Sequence, residues 1–165
     1  AISMSDFVLK EGLFLIKMNN EIKRFNHLTS EINAAYHETA VKFGISDSAM
    51  QILYTLCSCG TPCGISEVCH LTGISKQTIN SALRGLEQDG IIRLEQGGGR
   101  NKLILLTEKG EALSEHTVIK IIEIENRIFD SWTKKERDIY LSLTQEYLDV
   151  FRKETEQLNL SENKK

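Results

Sequence analysis

The chain is short of proline, of metal-type cysteine pairs and of long apolar runs, and each shortage removes a class of protein. No stretch approaches the ~20 consecutive apolar residues that a membrane-crossing helix needs, so no membrane partner is expected. Pro62 is the one proline, and no low-complexity linker divides the 165 residues, a length that fits one domain with a real core. No C-x-x-C pair occurs, so no metal site is expected. No phosphate-loop motif, nucleophile elbow or carboxylate pair stands out, and the chain reads as neither an enzyme nor a cofactor binder. Nothing near the start resembles a secretory signal; Ala1-Ile2-Ser3 ahead of Met4 reads as a cloning remnant, and the simplest reading is a cytoplasmic protein.

Charge of one sign is also missing. The net charge is −3, too small to mark the whole molecule as a polyanion binder. Its distribution says more: between Ser75 and Gly110 stand Lys76, Arg84, Arg93, Arg100, Lys102 and Lys109 against Glu87, Asp89, Glu95 and Glu108. That segment is net +2 and leaves −5 on the rest, a local basic footprint on an acidic body.

What is present is a pattern of helices around that footprint. Leu9, Leu13, Ile16, Ile22, Phe25, Leu28, Ile32, Ala35 and Tyr36 recur at helical spacing. They predict one long helix, or two with a break near Asn19-Asn20, ending before Gly44. Ser46 is the next N-cap, with Ile45 placed to staple onto Met50. This helix carries Met50, Ile52, Leu53, Leu56 and Cys57 and stops at the Gly60-Thr61-Pro62 breaker. A short helix over 66–72 and a second over 75–88 flank a tight Thr72-Gly73 turn. An apolar run from Ile91 to Leu94, the basic tip Gly97 to Lys102, and a second run from Leu103 to Leu106 follow. The order is helix, turn, helix, strand, basic loop, strand: a winged helix-turn-helix, whose second helix suits a DNA major groove.

In that second helix Ile79, Ala82, Leu83 and Leu86 share one stripe and anchor it, which turns Lys76, Gln77, Asn80, Ser81 and Arg84 outward. Asn and Gln can bond adenine bidentately, and Ser can reach bases or phosphate. Ser75, as N-cap, leaves helix N-terminal amides facing outward beside Thr78. A solvated polar face is the plainer reading of these residues; their position after a helix-turn favours DNA contact. The close crossing of the two helices asks for a small residue four positions before the turn glycine and an apolar one six after it, and Cys69, Gly73 and Ile79 fit. In the wing, Arg100 suits the minor groove and Lys102 a phosphate. The candidate DNA-binding set is thus Ser75, Lys76, Gln77, Thr78, Asn80, Ser81, Arg84, Arg100 and Lys102.

After the wing, Thr107 caps a helix predicted to run through Ala112, Val118 and Ile121 to Ile128. Thr133-Lys134-Lys135-Glu136 is a capping box for another, with Ile139, Leu143, Tyr147, Val150 and Phe151 as its stripe. Ile119, Ile121, Ile122 and Ile124 cannot all face one core from one helix. Burial against a second copy explains the excess, and a homodimer is expected.

Gly73-Ile74-Ser75-Lys76-Gln77-Thr78-Ile79, Leu86-Glu87-Gln88-Asp89-Gly90-Ile91-Ile92, and Arg100 followed by Leu103-Ile104-Leu105-Leu106-Thr107-Glu108-Lys109-Gly110 resemble the MarR family of bacterial transcription regulators. The resemblance extends from about Leu9 to Leu158. It implies a mainly α fold with a small β wing: N-terminal dimerisation helices over 1–45, the winged DNA-binding domain over 46–110, C-terminal dimerisation helices over 111–158, and a frayed tail over 159–165. It further implies an intertwined homodimer on a palindromic operator of double-stranded DNA, usually a repressor released by a small, often phenolic, effector or by an oxidant. The family's ligand cleft has no motif, so no ligand residue is assigned. Family members usually carry an Asp two positions before the wing Arg; Gly98 stands there, implying a looser wing.

The cysteines offer the other chemistry. Cys57 and Cys69 suit buried helix positions, whereas Cys59 and Cys63 read as an exposed pair that could form a thiol switch. Against this, peroxide sensors of the family carry their cysteine in the first helix, and here none lies there. His27, His37 and His116 are isolated on helices and read as surface or interface residues. A winged domain can also serve as a protein-docking module, for which a carboxylate-rich face would be expected in place of this one.

Overall fold

The computed structural model describes residues 7–10, 13–16, 18–99 and 101–158. The elements in order are β1 (Phe7–Lys10), β2 (Leu13–Ile16), α1 (Asn20–Phe43), α2 (Asp47–Cys59), β3 (Cys63–Gly64), α3 (Ile65–Thr72), α4 (Lys76–Gln88), β4 (Ile92–Gln96), β5 (Lys102–Leu106), α5 (Glu108–His116), α6 (Val118–Ser131) and α7 (Lys134–Glu156). They form two compact units, residues 1–114 and 115–165.

The first departure from the sequence reading is at the N-terminus. The segment read as helix through Leu9, Leu13 and Ile16 holds two antiparallel paired strands, with Leu9 opposite Phe14 and Lys10 opposite Leu13. Phe7-Val8-Leu9 and Leu13-Phe14-Leu15-Ile16 are short contiguous apolar runs, which periodicity cannot divide between helix and strand, and their β-branched and aromatic members favour the strand. The break expected near Asn19-Asn20 is the start of α1. The Asn19 side chain accepts the Glu21 N–H at 2.7 Å, and the helix closes at Gly44 with φ 69°, a left-handed position suited to glycine.

In the first unit, Ser46 caps α2 as expected, accepting the Ala49 N–H at 3.2 Å. Ile52, Leu53 and Leu56 of α2 meet Val68 of α3, Ile79 and Leu83 of α4, and Ile92 and Ile104 of the sheet in a core where each is at most 2% exposed. Full burial of side chains of this size contributes roughly 1.5–3 kcal/mol each. The sheet has the order β3-β5-β4, all antiparallel. Ile92 pairs with Leu106 and Gln96 with Lys102. Strand β3 was not anticipated; it is two residues long, and only its pairing of Cys63 with Ile104 makes it a strand.

Thr107 caps α5, accepting the Gly110 N–H at 3.1 Å. The single helix expected from there to Ile128 is interrupted at Thr117, whose φ of −127° and ψ of −94° are not helical. Thr117, Val118 and Ile119 are consecutive β-branched residues, a run that weakens a helix. In the second unit the Thr133–Glu136 capping box starts α7 as expected. The Arg137 guanidinium donates to the carbonyls of Phe129 and Trp132, both at 2.8 Å. The rings of Phe129, Trp132 and Tyr140 pack around the same corner at 5.1–6.1 Å between centroids. No residue of α7 is buried.

Candidate nucleic-acid interface

Helix α4 lies with Ile79, Leu83 and Leu86 in the core, and Ala82 is half-buried beside them. The opposite face follows from 3.6 residues per turn: Ser75, Lys76, Gln77, Thr78, Ser81 and Arg84 are exposed, and Asn80 is half-buried. Ser75 is not a free hydroxyl. It accepts the Thr78 N–H at 3.2 Å and shares a 2.9 Å hydrogen bond with the Thr78 hydroxyl, so both residues first hold the helix start. The preceding turn is tight because Gly73 adopts φ 69° and donates to the Cys69 carbonyl at 3.0 Å.

The structure divides the candidate residues between two flanks of α4. Lys76, Asn80 and Arg84 line a groove of about 740 Å³ with Lys102 and Asn101 at the wing base and Ser66 at the start of α3. Thr78 and Ser81 line a second groove of about 580 Å³ with Ser46 and Ser48 at the start of α2. Gln77 belongs to neither. Asn101, Ser46 and Ser48 were not singled out in the sequence, because only the fold brings these loops and caps beside α4. Arg100 lies outside the described residues.

Among the described cations of the basic segment, two are engaged locally. Arg93 forms an ion pair with Glu95 on β4, and Lys109 donates to the Asp89 carbonyl at 2.7 Å. The positive charge facing the first groove therefore comes from Lys76, Arg84 and Lys102, with Glu67 and Glu87 on its walls.

The wing is an ordinary ladder up to its glycines. Gly97 donates to the Asn101 carbonyl at 2.8 Å, and the Gln96 side-chain amide donates to the Gly99 carbonyl at 2.7 Å.

The cysteine pair requires correction. Cys59 is exposed, but Cys63 is buried, because β3 inserts it opposite Ile104 in the sheet. Its thiol bonds the Glu67 carboxylate at 3.5 Å. Burial first, and then the hydrogen bond and charge of Glu67, push its pKa up to about 11. A thiol held protonated is a poor nucleophile, so the pair is no exposed switch. Cys57 and Cys69 are half-buried, and burial raises the Cys57 pKa. Among the described residues no three His, Cys, Asp or Glu side chains are grouped to hold a metal ion. Nor is any described helix long and apolar enough to cross a membrane. His27 pairs with Glu31 at 3.5 Å, and His37 joins α1 to α2 through Asp47 at 2.9 Å.

Helix, turn, helix and hairpin in this arrangement define a winged helix-turn-helix protein. Residues 43–100 match the model of the MarR family. The uncharacterized HTH-type transcriptional regulator YwoH of Bacillus subtilis (strain 168) is 25% identical over 130 residues, 74% of this chain and 94% of YwoH. The fold is similar to that of NMB1585, a MarR family regulator from Neisseria meningitidis, with a TM-score of 0.73 at 18% identity over 84% of this chain and 99% of that one. It is also similar to MepR of S. aureus, solved as a complex with DNA, with a TM-score of 0.63 at 18% identity over 81% of this chain and 99% of MepR. Residues 43–100 thus carry the similarity to the MarR family model, and the fold of the chain is that of the winged helix-turn-helix regulators it resembles.

Proposed function

We propose that this protein binds DNA sequence-specifically as a homodimer on a palindromic operator, represses transcription there, and is released by a small, phenolic-type effector. The observation that carries the reading is the outward face of α4: Lys76, Gln77, Asn80, Ser81 and Arg84 stand opposite a stripe buried in the winged core. With Lys102 at the wing base, this face combines base-reading amides with phosphate-seeking cations. MepR, similar in fold, is solved bound to DNA, which supports the same use of this fold here.

The homodimer is supported by large apolar side chains that are exposed among the described residues. Ile22, Leu28 and Ile32 of α1, Ile124 and Ile128 of α6, and Ile139, Leu143, Val150 and Phe151 of α7 are exposed. Exposed apolar faces of this kind, on each unit by itself, mark an interface.

The test is titration onto a labelled duplex from upstream of the protein's own gene, with excess competitor DNA, at several salt concentrations. Competitor-resistant binding that weakens steeply with salt supports the reading. Binding that random DNA abolishes counts against it. Release by added phenolic carboxylates tests the effector in the same assay.

A further inference from the structure

We propose that Lys109 is a positioning residue for DNA binding: it fixes the C-terminal end of α4 and thereby sets where Arg84 stands, without itself holding a phosphate. The proposal rests on the DNA-binding reading above. The two ends of α4 are held differently. Its start is capped from within, by Ser75 and Thr78. Its last turn carries no basic residue, so no cation of that turn offsets the partial negative charge of a helix C-terminus. The buried stripe of Ile79, Leu83 and Leu86 grips one side of the helix. The set of the last turn is left to groups outside it.

Lys109 supplies the missing cation from 20 residues further along the chain. Its ammonium donates to the carbonyl of Asp89, the C-cap of α4, at 2.7 Å. The next two carbonyls are taken by the same corner: the Thr107 hydroxyl donates to Gly90 at 2.7 Å, and the Thr107 N–H to Ile91 at 3.1 Å. The Gly110 N–H donates to the Thr107 hydroxyl at 3.1 Å. A Cβ on Gly110 would lie 2.0 Å from the Ile91 carbonyl oxygen, so the first turn of α5 sits hard against the chain leaving α4. Lys109 thus reaches the helix end from a fixed base. Within α4, Arg84 is the cation nearer that end, whereas Lys76 and Gln77 stand on the Ser75 cap. Lys109 lines the groove of Thr78 and Ser81, on the other flank from Lys76, Arg84 and Lys102, so its loss takes no charge from the cationic groove.

The experiment uses Lys109→Met, which keeps the apolar stem and removes the donor, and Lys109→Arg, which keeps a cationic donor. In the free protein, exchange of the Gly90 and Ile91 amides, which bond the Glu87 and Leu86 carbonyls, should rise about fivefold in Lys109→Met, the effect of one cation at a helix end. Operator affinity is then read well below the unfolding midpoint, so that folded proteins are compared. Lys109→Met should weaken binding about fivefold with an unchanged salt slope, and Lys109→Arg should stay within twofold of wild type. In Arg84→Ala the Lys109→Met loss should shrink below twofold, the coupling of residues that act together. A salt slope reduced by about 1 would make Lys109 a phosphate contact and overturn positioning. Full affinity in Lys109→Met, or an equal loss in both backgrounds, would overturn it too. If the wild-type protein binds no duplex specifically, the DNA reading fails and the role of Lys109 in it falls as well, while the exchange measurement still decides whether Lys109 holds the end of α4.

Discussion

Gln77 and Arg84 show how differently two residues of one helix face can act. The Gln77 amide can bond adenine in two places, whereas Arg84 sits in the groove with Lys76 and Lys102, where charge attracts phosphate. Gln77→Ala should therefore relax base preference, read as a flatter selected-sequence profile. Arg84→Ala should weaken binding to all sequences alike and reduce the salt slope by about 1. Arg100→Ala should weaken operator binding by ~1–3 kcal/mol in a competition assay if the wing enters the groove. For the cysteines the burial pattern sets the outcome. An alkylating reagent at neutral pH should label Cys59 first and leave Cys63 until the chain unfolds. Because folding raises the Cys63 pKa from 9.0 to about 11, its thiol contributes stability that is fully present below pH 9. That stability is lost as pH rises towards 11, and alkaline melting curves of wild type and Cys63→Ala should converge across this window.

At the scale of elements, the corner between α4, β4 and α5 holds the reading helix in place. Gly90 turns the chain at φ 68°, and Thr107 donates to the Gly90 carbonyl at 2.7 Å while its own N–H reaches Ile91 at 3.1 Å. Lys109 bonds the Asp89 carbonyl. Gly110 completes the contact: a Cβ there would lie 2.0 Å from the Ile91 carbonyl oxygen, a backbone atom that cannot swing aside. Gly110→Ala should cost about 1–3 kcal/mol, measured by denaturant unfolding, as an overpacked site does. Ser75→Ala should cost ~1 kcal/mol through loss of the α4 cap, and should also lower operator affinity, because the cap fixes the first turn, which carries Lys76 and Gln77.

For the whole molecule, the apolar faces of α1, α6 and α7 are the dominant unexplained surface. Deleting residues 134–165 removes α7 and, on the proposed dimer, should give monomers in sedimentation with poor operator affinity. A truncated protein that stays dimeric would place the interface elsewhere. The dimer also matters for recognition, since two α4 helices related by a two-fold axis would read two half-sites one helical turn apart.

Local features were legible in the sequence because they close over three or four residues. The caps at Ser46, Ser75, Thr107 and Thr133 and the buried stripe of α4 are all set by neighbours along the chain. The outward set on α4 was legible for the same reason, since naming the buried side of a helix names the exposed one. The pairing of Phe7–Lys10 with Leu13–Ile16, strand β3, the burial of Cys63, the meeting of Gly110 with Ile91 and the gathering of Asn101 and Ser66 beside α4 were not. Each depends on a partner that folding supplies: short apolar runs fit helix or strand equally until a strand pairs with them, and a two-residue strand has no pattern at all. Sequence alone therefore determined α2, α4 and α7, their caps and the residues offered by α4. Only tertiary structure decided which thiol is buried, which loops flank the reading helix and where glycine is obligatory, because those are set by contacts between residues far apart in the chain.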